Sequence, residues 1–365
     1  MKLALVHDFL SQFGGAERVV AVLHELYPDA PLYTSIYAPD RLPEPFRRMD
    51  IRTTFMQRLP FVHQLFKLYF MIYPLAFEGI DLAAYEVILS SSSAFAKGVR
   101  KQPGQLHVCY CYTPMRFGWR YDDYVRNEPF PGFIKQLLPF FLEPIKQWDR
   151  RNSASVDHFI AISRVVADRI KQIYGRESAI IYPPVETDFF QPAGIERDHF
   201  LLVSRLNAYK RVELAVAACK ELDLPLKIVG DGPDKGRLQR LAGRNTEFLG
   251  RLSDFEVAKL MAECRALIFP GEEDFGITPV EAMSCGRPVI AYRAGGALET
   301  VIEDETGLFF DEPTPAALVS TLQRFKFKLF DKSRVRAHAL KFDKRHFSRQ
   351  LAAFVKEKYE EKFGR

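Results

Sequence analysis

No run of about 18 uncharged apolar residues occurs in this sequence, so no segment has the length needed to cross a bilayer as a helix. The opening stretch MKLALVHDF reaches Asp8 too early for the apolar core and cleavage site of a secretory leader, and a cytoplasmic chain is expected. Cysteine is scarce and odd in number: Cys109, Cys111, Cys219, Cys264 and Cys285 sit mostly in apolar runs. Such a set suits reduced core thiols better than disulfides or a zinc site, and no metal is implied. Basic runs are missing too. Lys plus Arg number 51 against 46 Asp plus Glu, a net charge of +5. So mild an excess argues against a nucleic-acid partner and leaves room for an anionic ligand or a membrane surface.

What is present is an ordinary globular composition, 47% hydrophobic and 27% charged, in a chain of 365 residues that exceeds one core. Apolar strand-like runs alternate with helical patterns, which predicts two Rossmann-like, doubly wound α/β domains. The first half reads as strands at LALVHDF, VILSSS, LHVCYCY and HFIAIS; the second at HFLLVSRL, LKIVGDG, TEFLG, ALIFPG and PVIAY. Pro183 and Pro184 in IIYPPVETDFF mark the break, giving domains over 1–183 and 184–344. Phe347, Leu351, Phe354 and Tyr359 recur at helical spacing, so 345–365 is read as an amphipathic helix returning to the first domain. Two such domains would face a cleft at the carboxyl ends of their sheets.

Four segments carry candidate chemistry. In HDFLSQFGGAERVV, Gly14 and Gly15 fall between a strand and a helix, as a tight turn or as a loop approaching an anion. In SRLNAYKRVELAVAA, Asn207 reads as a helix cap, placing Lys210 and Arg211 in the first turn, where cations oppose the dipole unless an anion is near; Arg205 ends the preceding strand. VGDGPDKGRL lacks the spacing of a nicotinamide fingerprint and reads as a tight turn. In FPGEEDFGITPVEAMSCGRPVIAY, Thr278, Pro279 and Glu281 form a capping-box pattern, while Glu273 stands upstream in an acidic loop with Glu272 and Asp274. Carboxylates beside a helix N-terminus suit sugar hydroxyls and a phosphate together.

These motifs (Gly14 with Gly15, Arg205 with Lys210, GDGP, and Glu273 with Glu281 around DFGITP) resemble the retaining glycosyltransferases of family four, of GT-B fold, over nearly the whole chain. CYCYTPMRFGW further resembles bacterial mannosyl- and related transferases of lipopolysaccharide or exopolysaccharide assembly. The resemblance implies that Arg205 and Lys210 neutralise a donor diphosphate, with the amides of Gly14, Gly15, Ile277 and Thr278 completing the cradle. It implies that Glu281 holds the ribose, that Glu273 with the amides near Phe275 and Gly276 orients the hexose, and that Gly250, Arg251 and Leu252 border the base. No cofactor is implied beyond a nucleotide-sugar donor. GDP-mannose is the expected one, with a UDP-linked hexose or N-acetylhexosamine as the alternative. No Asp-x-Asp triplet is present, so the metal-binding architecture for sugar transfer lacks its ligands. Tyr112 stands where relatives often carry a His that contacts donor sugar and reacting centre. Tyr is a poor base near neutrality, so an inactive binding subunit is a rival reading, and a sugar oxidoreductase is a weaker one. Residues 55–77 and 129–151 mix aromatics with Lys and Arg. They read either as core helices or as a membrane-interface contact suited to a glycan or polyprenyl-linked glycan acceptor.

Overall fold

The computed structural model describes residues 1–121 and 132–364. The chain divides into two compact units, Met1–Pro184 with Arg345–Arg365, and Val185–Lys344. The first is built on a seven-stranded, wholly parallel sheet of order β3-β2-β1-β4-β5-β6-β7. Its strands are β1 (Leu3–His7), β2 (Leu32–Thr34), β3 (Ile51–Thr53), β4 (Val87–Ser92), β5 (Leu106–Cys111), β6 (His158–Ala161) and β7 (Ser178–Ile180). β1, β4 and β5 are buried along their whole length, which is why each reads as a continuous apolar or small-residue run without alternation. β2, β3 and β7, absent from the strands read in the sequence, have three residues each and lie toward the sheet edges, too short to show a period.

The second unit carries a six-stranded parallel sheet of order β10-β9-β8-β11-β12-β13. These strands are β8 (Phe200–Val203), β9 (Leu226–Val229), β10 (Thr246–Gly250), β11 (Ala266–Phe269), β12 (Val289–Tyr292) and β13 (Gly307–Phe310). Each sheet reverses its strand order once, between β1 and β4 in the first and between β8 and β11 in the second. Open α/β sheets bind ligands beyond the strand ends at such a reversal, so the loops after these four strands are where chemistry belongs. The terminal helix Lys344–Phe363 buries Phe347, Leu351 and Val355, and Phe354 and Tyr359 are half-buried. It lies on the first unit: the Phe347 ring meets Tyr110 at 5.5 Å, and Lys362 Nζ donates to the Gln105 carbonyl at 2.6 Å. All five cysteines are buried and none forms a disulfide.

Candidate functional site

In the second unit the loops after β8 and β11 gather most of the residues singled out in the sequence. Arg205 is exposed two residues beyond β8, and its side chain makes no ion pair among the described residues. The turn Gly230–Pro233 after β9 supports it from behind. A Cβ on Gly230 would stand 1.8 Å from the Ser204 carbonyl oxygen, and Leu206 exchanges backbone hydrogen bonds with Asp231 and Asp234 at 3.0 Å each. The glycines of GDGP thus bring two backbones together beside Arg205. The Gly230 amide also donates to the Gly250 carbonyl at 2.7 Å, which ties in the exposed Arg251 and half-buried Leu252 at the end of β10.

Lys210 differs from expectation in its setting. Asn207 opens a short 3₁₀ turn, Ala208–Lys210; Arg211 then adopts a left-handed backbone with φ 52°, and the helix starts only at Val212. Lys210 and Arg211 therefore precede the helix, because the chain must reverse tightly before the buried run Val212–Cys219 can pack. That turn seats the Lys210 backbone against Gly271, where a Cβ would be 3.0 Å from the Lys210 carbonyl oxygen. The consequence is an ion pair between Lys210 Nζ and Glu273 Oε1, both partly exposed. The Arg211 guanidinium lies over the Tyr292 ring at 5.4 Å.

The capping box expected at Thr278 is absent. The helix runs Ile277–Ser284, its cap is Gly276 at φ 86°, and no side chain caps it. Glycine's tolerance of the left-handed region lets the helix begin two residues early, so Thr278 and Pro279 lie inside it and Glu281, 8% exposed, sits in its second turn. With no capping side chain, the Ile277 and Thr278 amides present the positive end of the helix dipole. The acidic loop before it is held by Gly295 and Gly296: the Gly296 amide donates to the Glu273 carbonyl at 2.8 Å, and a Cβ there would lie 2.2 Å from Phe275 Cα. This glycine pair was not picked out as part of the site; its signal was a Gly-Gly two residues after the PVIAY strand, beyond Arg293 and Ala294. Phe275 is buried with its ring 5.7 Å from Phe342. One loop cluster thus holds a guanidinium, an ammonium, carboxylates and an uncapped helix end.

In the first unit the loops after β1 and β4 are tied to each other. Asp8, buried, accepts from the amides of Ser93, Ala94, Phe95 and Ala96 at 2.5–3.0 Å and from the Ser93 hydroxyl at 2.8 Å. The sequence offered one signal for it, a charge directly after a buried strand. Gly14 and Gly15 both avoid positive φ, and the Gly14 amide donates to Glu17 at 2.8 Å, the one bond of a capping box that a glycine cap can make, at the head of the helix Gly15–Leu26. The Tyr112 hydroxyl donates to the Ala16 carbonyl at 3.0 Å and is 2.8 Å from Ser91 Oγ, which is in turn 3.1 Å from His7 Nδ1. Burial raises the Tyr112 phenol well above its ordinary pKa, so it cannot serve as a base near neutrality. It instead anchors the glycine loop.

Two family models match in tandem: Glycosyltransferase Family 4 over residues 13–189 and Glycosyl transferases group 1 over residues 186–328. The chain belongs to glycosyltransferase family four. Its fold is GT-B, with TM-scores of 0.75 to a sucrose-phosphate synthase from Thermosynechococcus elongatus and 0.72 to Anabaena HepE solved with UDP and glucose. Identities are 17% and 18%, with 98% of this chain and 99% of each neighbour covered. Among relatives by sequence, an uncharacterized glycosyltransferase of Methanocaldococcus jannaschii is 31% identical over 44% of this chain and 46% of its own length. The D-rhamnosyltransferase WbpZ of Pseudomonas aeruginosa is 28% identical over 54% of each chain. The chain therefore spans about half the length of these two curated relatives. The human alpha-1,3/1,6-mannosyltransferase ALG2 is 25% identical over 81% of this chain and 77% of its own length.

Proposed function

We propose that this family-four glycosyltransferase transfers a hexosyl group, mannosyl first among them, from a nucleoside diphosphate sugar to a glycan or polyprenyl-linked glycan, with retention and without a metal. The observation that carries the reading is the pairing of Lys210 with Glu273 beside the uncapped helix Ile277–Ser284. A diphosphate gains negative charge as the glycosidic bond breaks, and fixed cations and amides aimed at that charge stabilise the transition state. Arg205, Lys210 and the Ile277 and Thr278 amides supply them. Glu273, ion-paired with Lys210, accepts from hexose hydroxyls once the diphosphate engages the ammonium; Glu281 takes the ribose, and Gly250–Leu252 border the base. The departing phosphate takes the acceptor proton, which leaves Tyr112 a positioning role.

GDP-mannose is the proposed donor because mannosyltransferases are among the relatives. HepE, solved with UDP and glucose, motivates the UDP-sugar alternative. A thermal-shift screen of nucleoside diphosphates separates the two: stabilisation by GDP alone supports mannosyl transfer, and by UDP alone excludes it. Transfer that survives EDTA supports the metal-free route; complete loss restored by magnesium or manganese overturns it.

A further inference from the structure

We infer that residues 55–75 of the first unit form a docking surface for an anionic lipid bilayer. The segment is a succession of short turns, Phe55–Arg58, Val62–Leu65, Phe66–Tyr69 and Tyr73–Glu78. Its inner side fills the core with Met56, Val62, Tyr73 and Phe77. The outer side exposes Phe55, Phe61, Leu65, Leu68, Met71 and Leu75, of which Phe61 is 73%, Leu75 67% and Leu68 59% exposed. Six large apolar side chains within 21 residues exceed the scattered exposure of an ordinary surface.

Phe61 adds a second, independent sign. It holds a left-handed backbone at φ 50°, strained for a residue with a Cβ, while its ring points to water. The backbone turn serves the fold, since the Phe61 carbonyl accepts from the Gln64 and Leu65 amides at 3.0 and 2.9 Å, but the exposed ring gains nothing from folding, whereas its insertion into an apolar phase does. Charge identifies the phase. No Asp or Glu occurs from Phe55 to Phe77, whereas Arg58 and Lys67 are exposed and make no ion pair among the described residues. Apolar tips interleaved with open cations match a bilayer interface, the tips entering the acyl boundary and the cations meeting lipid phosphates.

The inference goes beyond the transferase reading and needs no donor or activity for its test. The full chain is floated with vesicles of phosphatidylcholine alone and of phosphatidylcholine mixed with phosphatidylglycerol. It should float with the mixed vesicles only, less so as salt rises. The triple variant Phe61→Ser, Leu68→Ser, Leu75→Ser should keep its melting temperature and lower the floated fraction about tenfold; Arg58→Gln with Lys67→Gln should also lower it. Absence of flotation with either vesicle, equal flotation with both, or equal flotation of wild type and triple variant overturns the inference. So does a dimer, seen by sedimentation equilibrium, that the triple variant abolishes while neither protein floats.

Discussion

The two units carry parallel sheets with the same reversal of strand order, yet they use polar residues at that reversal in opposite ways. In the first, Asp8 is buried under five donors, Tyr112 is bonded to Ser91 and Ala16, and the Gly14 amide goes to Glu17. In the second, Arg205 is exposed, the paired Lys210 and Glu273 are partly exposed, and a helix end carries no side-chain cap. Charges saturated by the fold make a rigid loop platform. Charges that remain accessible are available to a ligand. Substitutions in the first unit should therefore be read out in stability, and those in the second in binding and turnover.

The largest expected effect is at Lys210. Lys210→Ala should cut kcat/KM by roughly a hundredfold, about 3 kcal/mol, as when a transition-state donor is removed. Its melting temperature should hold, and steady-state kinetics beside calorimetry check both. Asp8→Asn breaks the comparison from the other side. It sets an amide NH₂ against backbone N–H groups in a buried site and should cost about 3 kcal/mol of stability in a denaturant titration. Nucleotide affinity of the folded protein should be unchanged. Glu281→Gln sharpens the contrast: Gly276 is the helix cap, so stability should stay put while nucleotide affinity falls. A drop in melting temperature with affinity intact would return Glu281 to a structural role.

Smaller effects belong to the first unit. His107 is buried with Nε2 2.8 Å from Ser90 Oγ, and burial pushes its pKa down to about 3. In the unfolded chain it titrates near 6.5, so between those values the unfolded state binds more protons. The stability it contributes is complete above about pH 6.5 and is lost as pH falls toward 3, by at most about 1.4 kcal/mol per unit. Thermal melts from pH 7 to 4.5 should show the decline, and His107→Gln should flatten it. Tyr112→Phe removes a neutral hydrogen bond and should cost about 1 kcal/mol of stability, with a rate loss of no more than about tenfold. Its pH–rate profile should not change, whereas a hundredfold loss with a shifted profile would mark Tyr112 as a proton acceptor.

The sequence pattern foretold the two parallel sheets because buried central strands leave continuous apolar runs, while the three-residue strands β2, β3 and β7 left no pattern to read; β13, buried throughout, went unread although it too is an apolar run. Lys210 and Glu273 were legible as residue types near strand ends; their ion pair was not, since it depends on the reversal at Arg211 and on Gly271 admitting the Lys210 backbone. The capping box was misassigned to Thr278 because Ser/Thr-x-x-Glu spacing takes no account of a glycine able to start the helix earlier in a left-handed conformation. Tyr112 read as a departure from a catalytic pattern, and only the structure connects it to Ala16. For residues 55–77 the core reading holds for Met56, Val62, Tyr73 and Phe77, while Phe61, Leu68 and Leu75 stay exposed, a division that alternation in the sequence did not reveal. The aromatic segment 129–151 lies partly outside the described residues; its later part continues the helix Gly132–Ser153, with Leu142, Ile145 and Trp148 buried and Phe140 and Phe141 exposed.

Calorimetric titration of GDP and UDP into wild type, Asp8→Asn and the double variant Arg205→Ala, Lys210→Ala tests the central claim most directly. The account predicts saturable binding of one nucleotide to wild type and to folded Asp8→Asn with equal affinity. The double variant should retain its melting temperature and lose roughly a hundredfold in affinity, as two contacts to a charged group disappear. Unchanged affinity in the double variant, or affinity lost only through Asp8→Asn, would contradict it.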